Sequence, residues 1–230
     1  MVGRRTIKRG ALATWCLLTC VATFVLTLAV TGAVDAAAAE IVYADGRHET
    51  VESPAQDAQG RWMATREGRR TELRAGQVVV LVDDAGAETV LIPDLVETAD
   101  PPRTAALLAT VADPKSDDLW SACDELSRHP SRTTLDALLA LTSSKKKEVR
   151  LRAVQALALL RTRESVLAAA QAVLSEKDAS TRRQAASALY AVQEIFRRCD
   201  VAELLKTALV DKDVSVRIDF ALLAPHDVTA

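Results

Sequence analysis

A mainly α-helical solenoid of stacked helix pairs, preceded by a small β module and an N-terminal export helix, is the fold class this sequence predicts. Three observations predict it. A short pattern returns three times between residues 148 and 223, all eight glycines lie at or before Gly86, and a basic start leads into a long apolar run.

The repeat reads Val149-Arg150, Ala153, Ala156-Leu157, then Thr181-Arg182, Ala185, Ala188-Leu189, then, more loosely, Val216-Arg217, Phe220, Leu223-Ala224. Its arginines are separated by 32 and 35 residues. Self-similarity at that period marks a helical array, because each unit is too small to bury its apolar face except against the next. Val149, Ala153, Leu157 and Leu160 fall on one stripe of a helix of period 3.6, and Ala185, Ala188, Leu189, Val192 and Phe196 repeat it. Between them residues 164–175 form a second helical run, with Leu167, Ala170, Val173 and Leu174 on one face, so the unit is a helix pair. The alanines on the stripe let neighbouring helices approach closely.

The glycine distribution divides the chain in composition. Glycine serves turns and disfavours helix interiors, so its loss after Gly86 marks a change from turn-rich β structure to helix. Residues 40–93 carry short runs rich in Val, Tyr, Trp and Thr: Ile41–Ala44 before Asp45-Gly46, Trp62–Thr65 before Glu67-Gly68, Gln77–Val82, and Thr89–Ile92 after the turn at Asp84–Ala87. An Asp-Gly between apolar runs is a strong hairpin signal, and about five short strands here suggest an SH3-like barrel or a small curled sheet. Tyr43 and Trp62 are read as filling a core poor in large residues rather than as a ligand platform. Asp100-Pro101-Pro102 ends this module and can start a helix, so Thr104–Val111 is expected to cap the solenoid. Residues 117–128 read as a degenerate first copy with Trp120 where the later copies put Arg, and its partner helix, with Leu135, Leu138 and Leu139, starts after Pro130-Ser131. The domains are thus 1–39, 40–100 and 101–230.

Arg4, Arg5, Lys8 and Arg9 precede an apolar run over residues 11–34, followed by Ala36–Ala39. That is the form of an export signal, with cleavage after Ala38 or Ala39 and a mature body outside the cytoplasm, periplasmic or secreted. The run is also long enough to span a bilayer, which gives the alternative of a single-pass anchor with its basic end inside and its body outside. Arg4-Arg5 has the look of a twin-arginine signal, and Leu17-Leu18-Thr19-Cys20 that of a loose lipoprotein box. The chain has 29 basic and 31 acidic residues, and residues 1–39 hold four of the basic and one of the acidic. The remainder, 25 against 30, is mildly acidic, which argues against a nucleic-acid partner bound through phosphates. Lys145-Lys146-Lys147 reads as a solvated turn between units.

The repeated segments resemble the HEAT-repeat family, including its short variety shared with bilin-lyase-type proteins, over roughly residues 115–224. The resemblance implies a ladder in which an Asp and an Arg near the start of each first helix bond across to the adjacent unit. Asp178 with Arg182 and Asp213 with Arg217 stand four apart as such a ladder requires, whereas before Arg150 the acid is missing and Ser143, Ser144 and three lysines stand instead. This family is defined by shape, so no catalytic residue is carried over.

No catalytic or metal pattern stands out. His48, His129 and His226 lie in different segments, and Cys123 and Cys199, two units apart, are expected to be free thiols. The sequence therefore points to a non-catalytic, cofactor-free scaffold or adaptor that binds another protein through its second helices, with Asp136, Gln171 and Lys206 as candidate contacts. A lyase-like or hydrolytic site between module and solenoid, and a purely structural envelope spacer, are the alternatives. After Arg217 the chain leaves a first helix without a second, and its apolar Ile218, Phe220, Leu222 and Leu223 suggest self-association or docking at that end.

Overall fold

The computed structural model describes residues 38–97 and 100–225. The expected export helix, Cys16, Cys20 and His226 lie outside the described residues. Six strands come first: β1 (Ala38–Tyr43), β2 (His48–Gln56), β3 (Trp62–Arg66), β4 (Arg69–Glu72), β5 (Val78–Val82) and β6 (Glu88–Val90). They form one antiparallel sheet in the order β4-β3-β2-β1-β5-β6, an open sheet with β4 and β6 at its edges rather than a closed barrel.

The two strands not foreseen are polar. β2 carries two glutamates and Pro54, and β4 is Arg69-Arg70-Thr71-Glu72 at an edge, where charge discourages further pairing. Register shifts beside Pro54 let β2 keep its pairing with β3. At Asp45-Gly46 the hairpin closes with Tyr43 N–H donating to Arg47 C=O at 2.8 Å, and Gly46 takes φ 80°, a left-handed value that Gly adopts freely.

Both faces of the middle of the sheet are covered, which explains the unbroken Val78-Val79-Val80-Leu81 of β5. One face gathers Ile41, Val51, Ala64, Val78 and Leu81 into a small core, with Tyr43 and Trp62 packed against it. The other sends Val42, Ala44, Val79 and Val80 into the core of the helices. The described chain from Ala38 onward is therefore one compact unit with sheet and helices sharing a core.

The helices are α1 (Pro101–Ala112), α2 (Leu119–Arg128), α3 (Arg132–Leu141), α4 (Lys147–Leu159), α5 (Arg163–Ser175), α6 (Ala179–Ser187), α7 (Gln193–Arg197), α8 (Ala202–Ala208) and α9 (Val214–Leu223). Their starts are written in the sequence. The side chains of Asp100, Ser131, Thr162, Asp178 and Asp213 each accept from a backbone N–H of the first turn, and Thr162 with Ser165 makes a reciprocal capping box. With no glycine after Gly86, the α4–α5 turn is closed by Arg161 at φ 58°, a left-handed position that glycine usually fills.

The stripes pack as the period requires: Val149, Ala153, Leu157, Leu160, Ala185, Leu189, Val192 and Phe196 are all buried. One expected helix is broken, however. The run from Ala185 to Phe196 is not continuous: a 3-10 turn, Ala188–Val192, separates α6 from α7, and Val192 leaves helical geometry at φ −136° and ψ 24°. The cause is the sheet. Glu194 N–H donates to Ala44 C=O at 2.9 Å, and Gln193 Nε2 donates to Asp45 C=O, so the β1–β2 turn takes donors at the point where the helix opens.

Candidate functional site

In every copy the repeat arginine of the first helix turns back to close its own entrance. Arg150 Nη1 donates to Ser144 C=O at 3.0 Å, Arg182 Nη1 to Glu176 C=O at 2.7 Å, and Arg217 Nη1 to Asp211 C=O at 2.6 Å. Each acceptor lies six residues before its arginine.

For Arg150 and Arg182 the rest of the guanidinium reaches the next unit. Arg150 grips Glu176 through Nε at 2.7 Å and Nη2 at 2.9 Å, and this forked pair holds the Glu176 carboxyl below its usual value. Arg182, only 2% exposed, places Nε 3.5 Å from Asp211. One residue position thus serves two units: its carbonyl accepts from its own arginine, and its carboxylate faces the arginine of the unit before, hydrogen-bonded at Glu176 and as an ion pair without a hydrogen bond at Asp211.

The acids of the ladder are Glu176 and Asp211. Asp178 and Asp213, the acids singled out in the sequence, cap α6 and α9, and Asp213 also stands 3.5 Å from Arg183. The available signal was an acid six residues before the repeat arginine, in place of four. It also explains the joint that lacks one. The residue six before Arg150 is Ser144, and the preceding copy carries Trp120, 61% exposed, where the arginine would stand, so cation and acid are missing together.

Arg150 and Glu176 also line a groove of about 580 Å³ between the second helices of successive units, α3 and α5. Besides that ion pair its lining is mixed, with Leu139, Ala168 and Ala172 apolar and Thr142, Ser143, Gln171, Ser175 and Lys177 polar. The small alanines of α5 create the space, and Leu139, 38% exposed, is left half uncovered by it. Because Arg150 is already paired, the groove offers three apolar side chains set among Thr142, Ser143 and Ser175, the Gln171 amide and one lysine. This suits an apolar side chain on a peptide or helix better than a bare anion.

Of the three candidate contacts, only Gln171 lies in this groove. Asp136 is exposed on α3, and Lys206 on α8 pairs with Glu203 at 2.6 Å. The sheet's aromatics are occupied: Tyr43 O–H donates to Glu49, Arg66 donates to the Tyr43 oxygen at 2.8 Å, and Arg47 stacks 4.9 Å from the ring centroid. Cys123 and Cys199 are free, and burial pushes their thiols up to about 12 and about 11. No three His, Cys, Asp or Glu side chains among the described residues stand close enough to hold a metal ion together. No helix among them is long and apolar enough to cross a membrane.

Stacked helix pairs, an arginine ladder and a groove made by second helices define an α-solenoid of short repeats. A model of HEAT repeats matches residues 102–190 and again 135–223, more than half of the chain, and the chain belongs to the HEAT-repeat family. A comparison with curated proteins finds none that matches. Repeats of this family generally serve as protein-binding scaffolds.

Proposed function

We propose that the chain is a non-catalytic adaptor of the cell envelope that holds a partner protein in the groove between α3 and α5. The observation that carries this reading is the exposed Leu139 with half-buried Ala168 and Ala172 in a mixed, partly polar groove beside a pre-paired Arg150. A surface of that kind is complementary to an apolar anchor flanked by hydrogen-bonding groups.

Placement outside the cytoplasm rests on the basic residues Arg4 to Arg9 and the apolar run 11–34. The sheet is compatible with removal of the leader. A cut after Ala39 deletes the pairs Ala38 with Glu52 and Ala39 with Val51 and the buried Ala39 methyl, while the β1–β5 pairing begins at Glu40. If the leader is retained, the same run tethers the body to the membrane.

Capture from envelope extract with the wild-type chain and with Ala172→Arg tests the reading. The substitution is expected to remove a specific captured protein while leaving the helical content unchanged. A captured set identical for the two proteins, or no saturable partner, would replace the adaptor with a spacer. Peptide mass mapping of the exported chain gives its first residue, expected to be Ala39 or Glu40 if the leader is removed.

A further inference from the structure

The last helix is apolar on two opposite sides. Val216, Phe220 and Leu223 are buried against the preceding unit, with the Phe220 ring edge-on to Phe196 at 6.0 Å. On the far side Val214, Ile218 and Leu222, at helical spacings of four, are 56%, 53% and 60% exposed, and Leu209 and Val210 just before the helix are 48% and 79% exposed. A contiguous apolar surface of this kind on a folded protein marks an interaction site.

Arg150 and Arg182 each reach an acid of the following unit, whereas Arg217 keeps its bond to the Asp211 carbonyl and has no ion-pair partner among the described residues. On this helix the exposed apolar stripe thus stands beside a cation that meets no acid of the described residues.

Arg217 and Asp219 lie one residue either side of Ile218. At about 100° per residue they border the exposed stripe on its two edges, cation on one and anion on the other. Asp219 is positioned by Tyr190, whose O–H donates to Oδ1 at 2.9 Å.

We propose that α9 of one copy pairs with α9 of a second copy about a two-fold axis, the two helices running in the same direction. Val214, Ile218 and Leu222 then pack on their own counterparts. In this orientation the cationic border of each helix faces the anionic border of the other, so both copies form an Arg217–Asp219 pair and Arg217 gains an ion-pair partner. The opposite orientation would bring Arg217 to Arg217. That sign pattern is self-complementary, which is why the occupant is a second copy.

The test is photo-cross-linking of the full-length chain in its own membranes or secreted fraction, with benzoylphenylalanine in place of Ile218. The expected result is an adduct of twice the chain's own mass containing only this chain, with none of that mass when the probe replaces Gln171. Arg217→Asp should lower the yield roughly fivefold by turning each attraction into a repulsion, and Arg217→Asp with Asp219→Arg should restore it. Wild-type resistance to limited proteolysis identifies variants that fold. An adduct to a different protein, the absence of an adduct, or a double variant no better than the single in a folded chain would overturn the proposal.

Discussion

Replacing Asp211 by asparagine keeps the shape of the side chain and removes the charge that faces Arg182. Arg182 is 2% exposed and its Nε lies 3.5 Å from the carboxylate. At that separation and an effective dielectric of about 20, the attraction is about 4–5 kcal/mol. The asparagine oxygen recovers part of it, so we expect a loss of about 3 kcal/mol, the low end of what breaking a buried pair costs. Against a total of about 5–15 kcal/mol for a domain, that is a large fraction. Urea unfolding followed by far-UV circular dichroism reads it as a lower midpoint at unchanged slope. Because the penalty arises from an uncompensated cation, the same change made in an Arg182→Met background should cost less than about 1 kcal/mol, giving a coupling of about 2 kcal/mol. A cost under about 1 kcal/mol in the wild-type background, or equal costs in both, would refute the ladder as a source of stability.

Three further outcomes follow from the same geometry. Arg150 holds the Glu176 carboxyl below its usual 4.5, so the pair's stabilisation is complete above that pH and is lost as pH falls through the lower folded value. Glu176→Gln should flatten this acid limb of a stability-versus-pH curve, and an unchanged limb would count against the pair. Cys123, buried and with its thiol pushed up to about 12, should resist alkylation in the folded chain and react once unfolded, and rapid native labelling by mass mapping would contradict its burial. Ala185, 1% exposed between stacked helices, should lose about 1–3 kcal/mol on change to leucine, again measured in urea, whereas a neutral result would mean the joint is loosely packed.

Local features were the legible ones. Helix starts at Asp100 and Ser131 and the stripes of 3.6-residue period are legible because both are set by neighbours within a turn or two, whereas the caps made by Thr162 and by Asp178, which reads as a ladder acid, emerge only in the structure. The repeat arginines were legible from their spacing, but their acids were not. Glu176 and Asp211 meet arginines 26 and 29 residues away, and only the stacking reveals that position six before the repeat arginine is shared by two units. The break at Val192 was equally hidden, since its cause is the Ala44 carbonyl in a β turn about 150 residues earlier in the chain. The strands β2 and β4 escaped notice because pairing, rather than their polar composition, holds them in the sheet. The groove depends on which helices become neighbours, and of the three residues named for contacts it includes Gln171 alone.

The most direct test of the adaptor reading places a photoreactive side chain at Ala172, in the wall of the α3–α5 groove, and irradiates the chain in intact cells. The expected result is a discrete adduct to one other protein, reduced by Leu139→Asp and absent when the probe stands at exposed Arg183 instead. The same adducts at both positions, or none at Ala172 in a correctly folded chain, would contradict it.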